Sequence, residues 1–218
     1  MKKETFFSST TIEAKAREIL ASVELFRRGR DHYQFRPDHA ALLVLDMQSY
    51  FLDEFSHAFI PSAMIILPNI QKLIRAFVVC GRPVIFTRHT NTPSDAGQMK
   101  RWWKDLILPD SPVSQIVPEL DTMKGILIVK HQYDAFYQTE LEQVLHVKGI
   151  EQVVVTGVMT HLCCETTARS AFMRGFDVFF AIDATATYTE ALHRATVLNL
   201  AHGFAIPVLV EDFLAIMR

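Results

Sequence analysis

The stretch QVVVTGVMTHLCCETTARSAFMRG, residues 152–175, carries the local pattern that decides the fold. Residues 152–156 are almost continuously apolar or β-branched, as in a strand buried on both faces. Residues 164–174 then have helical periodicity, and Gly175 is the residue type that commonly ends a helix. A buried strand followed by a helix is the unit from which parallel sheets are built.

The same alternation recurs along the chain. Short apolar runs predict strands at residues 41–45, 83–87, 126–129, 152–156, 177–182 and 207–210. Segments with helical periodicity lie between them, at residues 62–79, 139–147, 164–174 and 190–202. This order predicts an α/β fold, a parallel sheet with helices on both faces.

The first 38 residues have a different pattern. Thr10 followed by Glu13 has the spacing of a capping box, which predicts a helix start. Apolar residues then recur at helical spacing, at Ile12, Ile19, Leu20, Val23 and Phe26. We therefore expect an arm helix in residues 1–38, lying on the domain or on a neighbouring subunit, and a main domain in residues 39–218.

Composition and charge limit the partners. The 218 residues are 50% hydrophobic, and 22 basic and 24 acidic residues are interspersed, giving a net charge of -2. No basic surface for nucleic acid is indicated. No apolar run resembles a signal peptide or a membrane span, so we expect no membrane association. A small-molecule substrate and a cytoplasmic location are the predictions.

The three cysteines restrict the chemistry further. They include no CxxC pair, and Cys163 and Cys164 are adjacent, which disfavours a disulfide framework and favours a reducing compartment. The nine histidines show no zinc-ligand spacing. We predict no metal and no cofactor, and we expect Cys80 and Cys164 to lie in the core.

Polar residues end three of the apolar runs: Asp46, Lys130 and, after a short turn, Cys163. Ligands of parallel sheets bind at the carboxyl ends of the strands, so the three are candidate site residues. Each also has a structural explanation: a turn-forming aspartate, a lysine reaching solvent, a packed cysteine. The case is best for Cys163, because a helix N-terminus and a nearby ammonium both favour the thiolate.

Several motifs together resemble the isochorismatase-like superfamily of cysteine hydrolases. They are LDMQSYF at 45–51, PVIFTRH at 83–89, VKHQYDAF at 129–136, and GVMTHLCCETTARSAF at 157–172 followed by IDATAT. The resemblance implies a three-layer α/β/α Rossmann-like fold with a six-stranded parallel sheet. It also implies a catalytic triad of Asp46, Lys130 and Cys163. A cis peptide is implied between Val158 and Met159, and the backbone N–H groups of Met159 and Cys163 are implied as the oxyanion hole.

The resemblance leaves two reactions open. A Cys163 thioester would cleave a carbon–nitrogen bond of an amide or ureido compound, whereas Asp46 acting as an acid would cleave a vinyl ether, as in true isochorismatases. Those enzymes typically have Gly at the position of Cys163 and Gln at that of His89, which favours the first reaction. The segment TRHTNTPSDAG lacks the Asp-x-His and His metal site of nicotinamidases, which disfavours nicotinamide.

Aromatic residues near the motif loops predict a flat or apolar substrate. The candidate substrate-binding residues are Phe51, His89, Trp103, Phe136 and His161. Tyr50, Phe55, Trp102 and Tyr133 lie near the same loops. The aromatic residues could instead belong to the core or a subunit interface, and His161 could hydrogen-bond within its turn. We expect a homo-oligomer, a dimer or a tetramer.

Overall fold

The computed structural model describes residues 2–30, 32–103 and 105–217. Within these residues six strands form one parallel sheet in the order β3-β2-β1-β4-β5-β6. The strands are β1 Ala40–Leu45, β2 Val84–His89, β3 Ile126–Lys130, β4 Gln152–Val158, β5 Asp177–Ala186 and β6 Ile206–Val208. The predicted parallel sheet is confirmed, and its strand order reverses between β1 and β4.

Helices cover both faces of the sheet. In the described residues they are α1 Ile12–Ser22, α2 Glu24–Arg27, α3 Ser49–Leu52, α4 Ala63–Val79, α5 Met99–Trp102, α6 Leu141–Val147, α7 Glu165–Met173, α8 Glu190–Gly203 and α9 Val210–Ile216. Helix α4 contacts α9 and the central strands, and α7 contacts α8 and β5. The three-layer architecture is therefore confirmed. No helix of the described chain has the length and apolar character needed to cross a bilayer.

Burial along the strands follows their position in the sheet. Every residue of β1 and β4 is buried, as expected for central strands covered on both faces. Strand β3 lies at an edge, and its Leu127 and Val129 are partly exposed. The strand predicted at residues 126–129 is therefore present but is not buried on both faces, because an apolar run alone does not distinguish an edge strand from a central one.

The N-terminal arm differs from the prediction in detail. Helix α1 begins at Ile12 after Thr11, and no side chain caps it, so the capping box of Thr10 and Glu13 is not formed. The arm contains two helices rather than one. Its apolar side chains join the main core of the same chain, through Phe6, Phe7, Ala16, Ile19 and Val23. Within this chain the arm therefore packs on its own domain.

Two further predictions are corrected near the C-terminus and at the end of α4. The sixth strand ends at Val208, and α9 begins where the strand was predicted to continue. The buried Asp183 carboxylate accepts the backbone N–H of Val210 at 2.9 Å, which holds the start of α9. Cys80 follows the last turn of α4 and is exposed rather than in the core.

Gly157 permits the close approach of β4 to β1 beside the ends of these strands. Its φ of +104° is a value that L side chains rarely adopt, and a Cβ there would lie 2.0 Å from the carbonyl oxygen of Leu45. Gly175, after α7, also has a positive φ, of +87°, but a Cβ there would meet no atom within 4 Å. Of these two glycines, both would suffer backbone strain if replaced, but only at Gly157 would an added Cβ also collide with a neighbouring strand.

We expect Gly157→Ala to lower the free energy of unfolding by about 4 kcal/mol or more, because two backbones would have to separate. Gly175→Ala is the matched control, and should cost only the left-handed strain of about 1–2 kcal/mol. Urea denaturation of both variants measures the difference. Equal losses would show that the close approach to Leu45 does not limit the packing of β4.

Candidate active site

Three polar side chains from separate strand ends meet beside the point where the strand order reverses. Asp46 directly follows β1, Lys130 is the last residue of β3, and Cys163 lies in a π-helical turn, Thr160–Cys164, between β4 and α7. Asp46 and Lys130 are fully buried, and Cys163 is 7% exposed. The parallel sheet brings the three together because the carboxyl ends of its strands share one edge.

The contacts among them are direct. The Lys130 Nζ lies 2.8 Å from Asp46 Oδ2 and 3.3 Å from Cys163 Sγ. It also donates to the carbonyl oxygen of Gln132 at 2.8 Å. The Thr87 hydroxyl donates to Asp46 Oδ1 at 2.7 Å. One ammonium therefore contacts both a carboxylate and a thiol.

Burial shapes the protonation of this cluster. Burial disfavours the charged form of Lys130, but the attraction of the Asp46 carboxylate and of Cys163 is larger than this effect. The pKa of Lys130 is therefore raised. Burial raises the pKa of the Cys163 thiol to about 12, although Lys130 acts to lower it. The thiol is thus protonated at neutral pH, opposite to the expectation from a helix N-terminus and an ammonium, because the cost of desolvating a thiolate outweighs the attraction of Lys130.

Cys164 has a different environment from its neighbour. Its side chain is fully buried, with Sγ 3.8 Å from the carbonyl oxygen of Thr156, and burial raises its pKa well above the ordinary value. This confirms the prediction that Cys164 lies in the core.

The turn before Cys163 has the backbone that the resemblance implies. The peptide bond between Val158 and Met159 is cis. The carbonyl oxygen of Met159 accepts the N–H groups of Leu162 and Cys164, at 3.1 and 3.2 Å. Assignment of the Met159 and Cys163 N–H groups as an oxyanion hole stays a prediction.

A cavity of about 140 Å³ lies against Cys163. Its lining is mainly aromatic and aliphatic: Tyr50, Phe51, His57, Ala58, His89, Asn91, Met99, Trp103, Asp105, Leu106, Ile107, Tyr133, Met159, Leu162, Cys163 and Tyr188. Three of the predicted substrate-binding residues are in this wall, namely Phe51, His89 and Trp103. The Trp103 indole N–H donates to the Tyr133 hydroxyl at 2.7 Å, which joins two aromatic walls.

Two predicted substrate-binding residues are placed elsewhere. Phe136 is buried and stacks on Phe176 at 5.9 Å, with the Arg174 guanidinium over its ring. His161 is hydrogen-bonded through Nδ1 to the Thr187 hydroxyl at 2.6 Å. Neither is in the cavity wall. Trp102 and Phe55, which lie near the same loops in sequence, are largely exposed.

His89 enters the cavity wall as a neutral ring. Burial and the Lys130 charge lower its pKa to about 4, so the imidazole is uncharged at neutral pH. Its backbone is held by the buried Gln48, which accepts the His89 N–H at 2.8 Å and donates to the His89 carbonyl oxygen at 2.9 Å. Gln48 also donates to the Ser114 carbonyl oxygen, so it connects three segments around the site.

Thr87, Gln48 and Asn91 belong to the site but are not among the residues predicted from the sequence. Thr87 and Gln48 lie inside the quoted motifs PVIFTRH and LDMQSYF, and Asn91 follows the first of them by two residues. A polar residue within a buried run was the available signal.

Among the described residues, no group of three or more His, Cys, Asp or Glu side chains could hold a metal ion.

The fold and the buried cluster have the form of an α/β enzyme with its site at the carboxyl ends of the strands, and comparison with known proteins identifies the class as hydrolase. Residues 40–212 match the family model for the isochorismatase domain, and the chain belongs to the isochorismatase family. Over 174 residues it is 42% identical to Nicotinamidase 3 of Arabidopsis thaliana, covering 76% of this chain and 82% of that protein.

More distant relatives include isochorismatases. The chain is 29% identical to the isochorismatase of Bacillus subtilis, covering 82% of this chain and 58% of that protein. It is 31% identical to enterobactin synthase component B of Escherichia coli, covering 84% of this chain and 65% of that protein. The chain thus spans less than two thirds of the length of these two relatives.

Solved structures share the fold. The cysteine hydrolase of Pseudomonas syringae pv. phaseolicola superposes with a TM-score of 0.81 at 24% identity, covering 85% of this chain and 95% of that one. N-carbamoylsarcosine amidase of Thermoplasma acidophilum gives a TM-score of 0.70 at 25% identity, covering 79% and 96% of the two chains.

We expect Lys130→Met to lower the free energy of unfolding at pH 7.5 by about 3–5 kcal/mol, because the buried Asp46 carboxylate would lose its counter-ion. Adding Asp46→Asn should recover much of this loss, since no buried charge then remains unpaired. Urea denaturation measures both variants.

Lys124→Met is the matched control for this prediction. Lys124 lies near Asp121 at the surface, and such exposed pairs contribute about 0–1 kcal/mol. If Lys130→Met were no less stable than Lys124→Met, the ion pair with Asp46 would not be the buried interaction described above.

Proposed function

We propose that this chain hydrolyses the carbon–nitrogen bond of a small amide or ureido compound through a thioester on Cys163. The observation that carries the proposal is the position of the Lys130 ammonium, 2.8 Å from the Asp46 carboxylate and 3.3 Å from the Cys163 sulfur, beside a cavity. A thiol adjacent to a base and a cation is the arrangement that nucleophilic catalysis requires.

In the first half-reaction Asp46 takes the thiol proton and the sulfur attacks the carbonyl carbon. The electron pair of the carbonyl bond moves to oxygen, and the N–H groups of Met159 and Cys163 stabilise the resulting oxyanion. The carbon–nitrogen bond then breaks, and Asp46 returns the proton to the leaving amine. The product bound to the enzyme is a thioester.

In the second half-reaction water replaces the amine. Asp46 accepts a proton from the water, whose oxygen attacks the thioester carbon, and the acid product leaves as the sulfur recovers the proton. Lys130 keeps its positive charge throughout, since its raised pKa holds the proton. It thereby balances the negative charge as this moves between carboxylate and sulfur.

The protonated resting thiol agrees with this sequence of steps. With a pKa near 12, Cys163 does not react as a free thiolate at neutral pH. The proton must instead leave as the sulfur–carbon bond forms, and this requires a base in the same buried cluster. Asp46 occupies that position, and Lys130 lowers the cost of the negative charge on sulfur.

Cavity size and relatives support a small amide as substrate. A space of about 140 Å³ with aromatic walls suits a single flat ring. The 42% identical relative is named a nicotinamidase, and a solved structure of the same fold is an N-carbamoylsarcosine amidase. Both names describe carbon–nitrogen hydrolysis. Nicotinamide itself is not assigned, because the nicotinamidase metal motif is missing from the segment after β2.

The second candidate is vinyl-ether hydrolysis with Asp46 as the acid. The similarity to the isochorismatase of B. subtilis and to enterobactin synthase component B favours it. This reaction needs no nucleophile, so the presence of the Cys163 thiol beside Asp46 argues for the amide reaction instead.

The two candidates are separated by Cys163→Ala in a turnover screen of aromatic amides, ureido compounds and isochorismate. We expect wild type to hydrolyse at least one amide or ureido compound, and Cys163→Ala to lose about three orders of magnitude or more in kcat, as for removal of a nucleophile. Cys164→Ala is the control, and should retain activity within a few-fold because that sulfur only packs.

Mass spectrometry of wild type quenched during turnover should show the acyl group on Cys163. Amide turnover that survives Cys163→Ala would contradict the thioester. Cleavage of isochorismate by both wild type and Cys163→Ala, with no amide turnover, would establish the second candidate.

A further inference from the structure

Three polar side chains lie next to one another in the wall of the cavity, apart from the Cys163 cluster, as a carboxylate–imidazole pair and an imidazole–phenol hydrogen bond. Asp105 Oδ2 lies 3.1 Å from His57 Nδ1, and His57 Nε2 lies 3.2 Å from the Tyr50 hydroxyl oxygen. All three residues line the cavity. The side chains of His57 and Asp105 are 36% and 52% exposed, whereas Cys163 is 7% exposed, so this pair lies at the mouth.

The nearby carboxylate sets the direction of the His57–Tyr50 hydrogen bond. The Asp105 carboxylate, 3.1 Å from His57 Nδ1, favours the His57 tautomer that carries its proton on Nδ1. In that tautomer Nε2 is the acceptor, and the Tyr50 hydroxyl donates to it. Burial, with Asp105 and Tyr188, raises the pKa of Tyr50, so this hydroxyl keeps its proton.

The Tyr50 oxygen is left as an acceptor. Its proton is committed to His57, and its remaining lone pairs can receive a hydrogen bond from a molecule in the cavity. Aromatic packing fixes the orientation of the Tyr50 side chain. Its ring lies edge-on to the Phe51 ring, with centroids 5.2 Å apart, and to the His57 ring, with centroids 5.5 Å apart. Lys3 donates to the His57 carbonyl oxygen and so ties the N-terminal segment to this wall.

We propose that Tyr50, oriented by His57 and Asp105, is a specificity subsite for a hydrogen-bond donor on the substrate. The donor is a hydroxyl or an N–H group carried by the part of the substrate that points to the cavity mouth while the amide meets Cys163. This inference rests on the proposed function and narrows its substrate class to small amides with such a donor. A few polar groups in an otherwise apolar pocket commonly set the orientation of the ligand.

Calorimetric binding to the Cys163→Ala protein tests the subsite without turnover. The probes are benzamide, 3-hydroxybenzamide, 4-hydroxybenzamide and the corresponding methoxybenzamides. We expect at least one hydroxybenzamide to bind about tenfold more tightly than both benzamide and its own methyl ether, the value of one good hydrogen bond. The methyl ether keeps the oxygen and replaces the donated proton with a methyl group, and benzamide, which has no substituent at that position, controls for the added bulk.

Second substitutions introduced into the Cys163→Ala protein then test whether Tyr50 is the hydrogen-bond acceptor. Tyr50→Phe should reduce the ratio of the benzamide Kd to the hydroxybenzamide Kd to about one. His57→Gln, which removes the ring that orients Tyr50, should also reduce it. Tyr137→Phe is the matched control, because Tyr137 is exposed and outside the cavity wall, and it should keep the full ratio.

Three results would overturn the subsite: no binding of any probe, equal Kd values for hydroxybenzamides and their methyl ethers, or an unchanged ratio in Tyr50→Phe. The proposed function fails separately. A donor preference that disappears in Tyr50→Phe, together with no Cys163-dependent hydrolysis of any amide by wild type, would support the subsite and reject the thioester reaction.

Discussion

The site depends on one buried ion pair, between Lys130 and Asp46. Both side chains are fully buried, and their charged atoms are 2.8 Å apart. Removing either charge would leave the other without a partner in a region of low dielectric, which is why the two must be retained together. The third member, Cys163, uses the same ammonium, so the ion pair also controls the charge that its sulfur can carry.

Backbone geometry at the strand ends makes this pair possible. Asp46 has a φ of +51°, a left-handed conformation that aspartate tolerates better than most residues, at the point where the chain leaves β1. Thr87, beside it on β2, donates to the carboxylate, and Gly157 lets β4 approach β1 where a side chain would collide with Leu45. The stability of the sheet and the geometry of the site therefore share the same few residues.

The cavity combines two kinds of wall. The buried end holds the charged cluster, where burial raises the pKa of the thiol. The mouth holds aromatic and polar groups, including the Asp105 carboxylate, that can distinguish one small molecule from another. This separation fits a family in which related chains carry names as different as nicotinamidase and isochorismatase, since the walls can vary while the sheet ends stay in place.

The sequence by itself determined the alternation of strands and helices and the parallel sheet, because buried parallel strands are continuous apolar runs. It also marked Asp46, Lys130 and Cys163 as candidate site residues, because polar residues at the ends of such runs stand out, and the family resemblance supplied the catalytic roles proposed for them. Only the tertiary structure decided which aromatic residues reach the cavity. Phe51 and Trp103 line it, whereas Phe136 stacks on Phe176, although all three lie near the motif loops. Loop direction is set by packing between distant segments, and a single sequence contains no periodicity that reports it. The protonation of Cys163 could not be predicted for the same reason. The helix that follows it and the ammonium of Lys130 can be inferred from sequence motifs, but the burial that raises its pKa results from the whole fold.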